Sequence, residues 1–386
     1  MDHYIVAPYQ YDETIFRRHR LAAYILEQDT DARIFWIMPK PSSVRRIVAS
    51  SSIQIEQMEP KVYRIHVYNV WNLFNFGGIL SRLATRGLRH HIQKNNNPKV
   101  LWYTHPSYPE LSSIERWHST IYDCSDLWSQ APKQETTWAD KARIKLSMFR
   151  LKKSEIRITK QCKHIMCTSD YLAVRLQSLT GRKPVIIENG VDSDFFNTSE
   201  QVPDPFQHIA HPRIGFIGGI KLKIDFDLLI HMAITCPQIN IVLVGLIPPN
   251  IKRLPEIEKL RKLVNVYFFD FVSLSEVPRY MKSLDVGLLP YKPITYNQAV
   301  SPLKLFEYLA VGIPVVGCGV PSTSKYQAEG VYYYANHAHD DFIEKCQLAI
   351  QESSDLKLQA RRIELARQHI WTQKFEEILQ ISLHSS

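Results

Sequence analysis

The chain predicts an α/β fold of two doubly wound parallel sheets in series, and three observations carry that expectation. Short runs rich in β-branched and aromatic residues alternate with helical periodicity from the N-terminus onward, the pattern that a parallel sheet with crossover helices requires. The alternation breaks once, after Phe196, where NTSEQVPDPFQHIAHP is polar and holds three prolines. It then restarts at Arg213. At 386 residues the chain is long for one core, and two domains of roughly 150 to 200 residues each are the natural division.

In the first half, strands read at Tyr4 to Ala7, Arg33 to Met38, Val62 to Val67, Val100 to Tyr103, Ser119 to Tyr122, His164 to Thr168 and Val185 to Glu188. A helix reads at Phe16 to Glu27. After the polar stretch, strands read at Arg213 to Ile217, Asn240 to Val244, Val266 to Phe269 and Asp285 to Leu289, with a helix at Phe226 to Ala233 and a further strand starting at Pro314-Val315-Val316. These readings give a first domain over 1–196, a linker over 197–212, a second domain over 213–370 and a final helix over 371–386. Sheets of this kind bind ligands at the carboxyl ends of their strands, so the two domains are expected to face a common cleft. A G-x-G-x-x-G nucleotide signature is absent, which argues against an ordinary dehydrogenase.

Composition narrows the class. Hydrophobic residues at 45% and aromatics at 11% fill two cores and leave little for disorder. The N-terminus has no basic lead followed by an apolar run, and nowhere do 18 apolar residues stand together, so neither a signal peptide nor a spanning helix is expected and cytoplasmic residence is the default. Cys124, Cys162, Cys167, Cys236, Cys318 and Cys346 are scattered without a C-x-x-C pair and read as reduced, buried thiols. The carboxylate pairs in DTD (Asp29 to Asp31) and DSD (Asp192 to Asp194) read as accidents of loops. No metal and no cofactor is expected.

The net charge of +9 is uneven, with +8 in residues 1 to 200. Between Lys61 and Lys99 there are seven Lys/Arg and no acid, and Ile79 to Lys94 reads as an amphipathic helix with Arg82, Arg86, Arg89 and Lys94 opposite Ile79, Leu83 and Leu88. A second basic run spans Lys141 to Lys163. Such helices either pack on a core with a solvated basic face or lie on an anionic membrane surface. No recognition motif for nucleic acid accompanies the charge.

The most informative stretch is SPLKLFEYLAVGIPVV, Ser301 to Val316. Ser301 reads as the N-cap and Pro302 as the first helical residue, leaving the N–H groups of Leu303 and Lys304 to face an anion. Glu307 follows on the same face, about 5 Å further along the axis, where it suits a ribose hydroxyl pair attached to a bound diphosphate. Gly312 ends the helix. This stretch resembles the donor-binding segment of the retaining nucleotide-sugar glycosyltransferases of the GT-B fold, the family four group, with its P-x-K-x-x-E-Y-L-A-x-G-x-P-V-V pattern, whose Glu is the second of two with seven residues between them. Glu307 matches the second Glu. Ala299 stands where the first would be, so neither that residue's role at the transferred sugar nor retention of stereochemistry carries over. The run GFIGGIKLKIDFDLL and NQAVSPLKLFEYLA are especially similar to glycosyltransferases of the teichuronic-acid and exopolysaccharide type.

The resemblance covers the second half and, more loosely, the order of elements in the first. It implies a GT-B fold, with Gly218, Gly219, Lys221 and Lys223 facing the donor's phosphates, Asn297 and Gln298 near the sugar, and Phe271 near the base. Asn189-Gly190-Val191-Asp192 is similar to the family's N-G-V-D loop, read as structural at the hinge, and Trp371 to Leu383 to its closing helix. For the acceptor hydroxyl a base is needed in the first domain. Asp123 in YDCSDLW is the first candidate, Asp126 the second and His105 the third. The expectation is therefore a metal-independent glycosyltransferase. It would move a sugar from a nucleoside diphosphate sugar, UDP-linked, to a cell-envelope glycan or lipid-linked acceptor, resting on the inner face of the plasma membrane. A non-catalytic nucleotide-sugar-binding or partner subunit, and a sugar-nucleotide epimerase, stay open beside it.

Overall fold

The structure is a computed structural model and describes residues 1–8, 17–41, 53–69, 77–114, 117–130, 138–197, 203–336 and 338–384. The chain divides into two compact units, Met1–Glu188 with Lys374–Ser386, and Asn189–Gln373. The division at Glu188 precedes the stretch read as a linker. Phe206 and Ile209 of that stretch are buried in the second unit's core, because a turn of apolar residues sits among its prolines.

In the first unit the strands are β1 (Asp2–Val6), β2 (Arg33–Pro41), β3 (Gln54–Glu59), β4 (Val62–Asn69), β5 (Lys99–Tyr103), β6 (Ser119–Cys124), β7 (His164–Cys167) and β8 (Val185–Ile186). They form one sheet in the order β3-β4-β2-β1-β5-β6-β7-β8, parallel throughout except for β3. The edge strand β3 has no counterpart in the sequence reading: QIEQME is almost wholly exposed, so it carries no apolar alternation to betray it. It is held by a tight turn through Pro60 and Lys61, whose φ is 68°. Ile79 to Lys94, expected as one helix, is instead two, Ile79–Ala84 and Arg86–Lys94, separated at Thr85. The Thr85 hydroxyl lies 2.8 Å from the Ser81 carbonyl and 2.9 Å from Glu110 Oε1, side-chain bonds made beside the backbone bonds that carry the ladder past this residue.

The second unit holds β9 (Arg213–Ile217), β10 (Asn240–Val244), β11 (Val266–Phe269), β12 (Val286–Pro290), β13 (Val315–Cys318) and β14 (Tyr332–Tyr334), all parallel, in the order β11-β10-β9-β12-β13-β14. Chain order reverses direction between β9 and β12, the switch point at which such sheets open a crevice. The pairing there is short: β12 meets β9 only at Val286 with Ile214 and Gly287 with Gly215. Tyr308, from the helix Leu303–Ala310, takes over beyond that point. Its hydroxyl accepts the Ile217 N–H at 2.8 Å and lies 3.1 Å from the Gly215 carbonyl, to which it donates. Gly287 makes room, since a Cβ there would stand 2.4 Å from the Tyr308 ring.

The first unit's core has a polar pair of its own. Trp102 Nε1 donates to His3 Nδ1 at 3.0 Å, a bond that only an unprotonated Nδ1 accepts. Burial pushes the His3 imidazole down to about 4. The folded chain then binds fewer protons than the unfolded chain between that value and the ordinary 6.5. Stability present above pH 6.5 is therefore lost as pH falls towards 4, on the order of 3 kcal/mol. Denaturant titrations of wild type and His3→Leu from pH 7 to pH 4 should show the wild type losing about that much more than the variant; parallel profiles would contradict it. Likewise Tyr308→Phe, which strips the buried Ile217 N–H of its acceptor, should cost about 1–3 kcal/mol in the second unit's unfolding transition. An unchanged midpoint would mean that the hydroxyl is not needed there.

Candidate active site

The helix Leu303–Ala310 starts one residue later than the sequence implied. Pro302 is its N-cap, extended at φ −76° and ψ 119°, and no side chain caps the first turn. Ser301 is engaged elsewhere: its carbonyl accepts Asn189 Nδ2 at 2.8 Å, and its hydroxyl accepts the Asn189 N–H at 3.4 Å. The same N-G-V-D loop is tied on its far side, where Val191 N–H donates to the His369 carbonyl at 2.8 Å and Trp371 N–H to the Val191 carbonyl at 3.1 Å. Asn189 thus sets the approach of the chain to the helix, and Leu303 and Lys304 head it as expected. Gly312, left-handed at φ 88°, terminates it.

Three of the expected donor residues come together over β9. Gly218, at φ 148°, has the Lys304 side chain lying against its backbone, so that a Cβ at Gly218 would stand 2.1 Å from Lys304 Cε. Gly245 repeats the device, because a Cβ there would meet the Gly218 carbonyl at 2.3 Å. Lys304 Nζ lies 3.6 Å from Glu307 Oε2 and 5.8 Å from the centre of the Phe216 ring. Glu307 is only 8% exposed, and its Oε2 is buried without a hydrogen bond. A buried carboxylate oxygen with no hydrogen-bond donor is costly.

The other donor candidates divide. Lys221 is exposed, and Gly219 lies under its side chain. Lys223 is half-buried with its Nζ 4.7 Å above the Tyr291 ring. Asn297, read as a sugar contact, is fully buried and turned inward: its Nδ2 donates to the carbonyls of Lys223 at 3.1 Å and Lys292 at 2.8 Å, clamping two lysine-bearing loops together. Gln298 is exposed. Phe271, beyond β11, is exposed, and Leu246, beyond the neighbouring β10, is exposed as well. Leu246 and Gly245 escaped the sequence reading, although V-G-L after a strand is the signal that marks them. Ala299 is fully buried.

In the first unit Asp123 sits on β6, 2% exposed, with Oδ2 accepting from Arg17 Nε at 2.9 Å. Arg17 Nη1 also donates to the Glu188 carbonyl at 3.1 Å, so the pair joins a helix start, a strand end and the loop after β8. Behind β6, Tyr122 donates to Glu155 at 2.8 Å and Arg175 pairs with the same carboxylate at 2.6 Å. Asp126 is half-buried, with Oδ2 3.4 Å from the Ser125 hydroxyl, and the short helix Trp128–Gln130 follows it. His105, half-buried after β5, has its Nδ1 2.8 Å from the Ser107 hydroxyl and its ring edge-on to Trp128 at 4.8 Å. Arg82 and Arg86 are exposed, whereas Arg89 folds back to the Arg82 carbonyl at 3.4 Å. All six cysteines are buried and unpaired. Among the described residues no helix is long and apolar enough to cross a membrane.

Residues 211–352 match the family of group 1 glycosyl transferases. TuaH of Bacillus subtilis (strain 168), named as a teichuronic acid biosynthesis glycosyltransferase, is 34% identical over 394 aligned positions, covering 98% of this chain and 96% of that protein. Among solved structures, the sucrose-phosphate synthase of Thermosynechococcus elongatus superposes with a TM-score of 0.70 at 13% identity over 98% of both chains. Anabaena HepE, solved with UDP and glucose, gives 0.70 at 13% identity over 99% of both. WaaG, a glycosyltransferase involved in lipopolysaccharide biosynthesis, gives 0.65 at 15% identity over 99% of both. These structural likenesses are of fold. Taken with the relation to TuaH along nearly the whole chain, they mean that this protein belongs to the group 1 glycosyltransferases of the GT-B fold.

Proposed function

We propose that the protein transfers a sugar from a UDP-sugar to a hydroxyl of a cell-envelope glycan or lipid-linked acceptor, without a metal ion or other cofactor. The observation that carries the donor half is the buried, hydrogen-bond-free Oε2 of Glu307 one turn beyond the uncapped amides of Leu303 and Lys304. A nucleoside diphosphate answers both features at once. Its phosphates take the helix-end amides and Lys304, and its ribose hydroxyls donate to Glu307. Phe271 and Leu246, exposed at the ends of adjacent strands, offer apolar surface to the base. HepE, of the same fold, is solved with UDP and with UDP-glucose, which supports uridine as the base. TuaH's name supports an envelope polysaccharide as the acceptor's class.

In the transfer, the bond from the sugar's anomeric carbon to the diphosphate breaks as the acceptor oxygen bonds to that carbon, and UDP leaves with the electron pair. Lys304 and the helix dipole stabilise the charge that develops on it, the part a divalent cation plays in other transferases. The acceptor proton goes to a side chain of the first unit. Asp123 is closed to solvent and held by Arg17, so a hydroxyl reaches it only when that pair opens. His105, oriented by Ser107 and half-buried, is the better base of the two on this geometry, with Asp126 between them. A second reading has a specific support in Ala299: no carboxylate stands there, and the position is filled, so nucleotide-sugar binding without transfer is the alternative.

Calorimetry of UDP, GDP and ADP in chelator tests the donor half. UDP should bind selectively, and Glu307→Ala should weaken it about 10- to 100-fold, the worth of hydrogen bonds to a charged group. Equal affinities for the three nucleotides, or an indifferent Glu307→Ala, would sink the reading. Gly218→Ala, whose methyl collides with Lys304, should weaken UDP in the same direction. For the acceptor half, His105→Gln should lower kcat by about two orders of magnitude or more with UDP binding intact. If Asp123→Asn does so and His105→Gln does not, the base is Asp123; donor binding with no transfer to any envelope glycan would favour the binding subunit.

A further inference from the structure

Two phenylalanines stand side by side in the short helix Ser193–Asn197, and a helical turn sends such neighbours in different directions. Phe195 goes into the second unit's core, whereas Phe196 is half-buried and lines a groove of about 670 Å³, within the size range of small-molecule sites. The opposite wall is the end of the helix Leu356–Arg367 together with the start of the final helix, Trp371–His384. Every lining residue lies within Asn189–Gln373, and none belongs to the donor site. Backbone laces the two walls together: Val191 and Ile370 form a parallel bridge, with Val191 N–H donating to the His369 carbonyl at 2.8 Å and Trp371 N–H to the Val191 carbonyl at 3.1 Å. His369 in turn stacks on Phe306, ring centres 3.9 Å apart. The groove is therefore a preformed part of the second unit.

Its lining is of two kinds. Phe196 and Ile370 are half-buried and apolar. Asn197, Gln368 and Gln373 are exposed amides, and Glu364 and Arg367 add one charge of each sign. Among the described residues none of these polar side chains makes a hydrogen bond or an ion pair; Arg367 only lies over the Phe196 ring, 5.9 Å from its centre. Each amide offers two donors and an acceptor, the guanidinium only donors and the carboxylate only acceptors. Such a rim suits hydroxyl groups, which donate and accept at once. Phe196 adds a flat apolar face against which the C–H side of a pyranose ring can lie. The two charges cancel, so nothing in the groove selects a phosphate or a polyanion. A neutral molecule dense in hydroxyls and carrying one apolar face matches all of these features, and a sugar is such a molecule.

We propose that this groove is a second saccharide site, separate from the donor site, which holds a neutral oligosaccharide segment. One pyranose stacks on Phe196 and Ile370, and Asn197, Gln368, Gln373, Glu364 and Arg367 take the hydroxyls around it. The proposal rests on the reading of a glycan acceptor and adds a hold on that glycan away from its reacting end. A polymer held there keeps a high effective concentration from one transfer to the next, so a further addition needs no fresh encounter.

The test is saturation-transfer NMR of the full chain with cellotetraose, chitotetraose and β-1,4-galactotetraose, and with tetragalacturonate as the anionic control. Saturating UDP fills the donor site, and each sugar is used at about 5 mM, which reaches dissociation constants in the millimolar range. At least one neutral tetrasaccharide should bind. Gln368→Ala with Gln373→Ala, both exposed positions, should weaken that binding about 10-fold, and Phe196→Ala by at least as much. UDP affinity by calorimetry should stay at the wild-type level in these variants, which separates loss of the groove from loss of the fold. No binding of any neutral tetrasaccharide overturns the proposal. So does binding that every variant retains, because the sugar then sits elsewhere, and so does a preference for tetragalacturonate over all the neutral sugars. Saccharide binding that the variants weaken, in a wild type that takes no UDP, would remove the donor reading and leave this site standing.

Discussion

The helix that carries Lys304 and Glu307 is fixed by the Tyr308 hydroxyl, which supplies the hydrogen bonds that β12 leaves unmade on β9. A parallel sheet that opens at its switch point exposes backbone groups to a dry interior, and an orphaned amide there costs as much as a lost hydrogen bond. By filling that gap with a side chain, the fold lets the two strands part and at the same time sets the height of the helix over Gly218. Gly287 lets the ring lie against β12, and Gly218 lets Lys304 lie against the loop after β9. Both ends of the helix are then secured. Asn189 holds Ser301 at the start, and the fully buried Arg362 donates to the Gly312 carbonyl beyond the end, with the carbonyls of Gly330, Glu352 and Ser353 as its other partners. Burial pushes that guanidinium down to about 10, against the pull of the nearby Glu352 and Asp355 carboxylates, and its four backbone carbonyl partners make it a staple.

The first unit uses buried polar groups differently. Its pairs join different elements: Arg33 with Asp2 by two bonds of 2.8 and 2.6 Å, Arg17 with Asp123, and Arg175 with Glu155. Each pairs a guanidinium with a carboxylate from a different element, Arg33 with Asp2 between strands, Arg17 with Asp123 between a helix and a strand, and Arg175 with Glu155 between helices, and such pairing is the condition under which burial of charge is tolerated. Excess positive charge is left outside, on the helices at 79–94 and 141–153, where solvent or a counter-surface compensates it. The two units thus differ in how they place charge, the second holding Lys304 and Glu307 together on one helix and the first leaving basic side chains outside.

Ala299, closed off from solvent, stands where the family's pattern places an acidic residue. Asn297, two residues before it, gives its side-chain Nδ2 to the carbonyls of Lys223 and Lys292.

Local sequence patterns were enough for the fold class and for the helix that carries Lys304 and Glu307. Apolar runs such as RIGFI, NIVLV and VYFF lie between helical segments, and their strands matched the sequence reading residue for residue; the first two are buried almost throughout, as central parallel strands must be, and the third is the half-buried edge beside them. L-K-L-F-E-Y-L-A-V-G carries its helix and its stop signal in local propensity alone. What the sequence could not carry was each case settled by a partner far along the chain. The strand β3 is polar on both faces and exists only because β4 is there to pair with it. The helix start moved from Pro302 to Leu303 as Ser301, expected to cap it, was claimed by Asn189, 112 residues away. Asn297, polar and beside the helix, read as a ligand contact, yet its amide is an internal clamp. Whether Ile79 and Leu83 face a core or solvent was undecidable from their spacing, since periodicity gives a helix its face but not its neighbour. Local patterns encode where the backbone folds; which polar and apolar side chains remain available for chemistry is decided only when distant segments have taken their share.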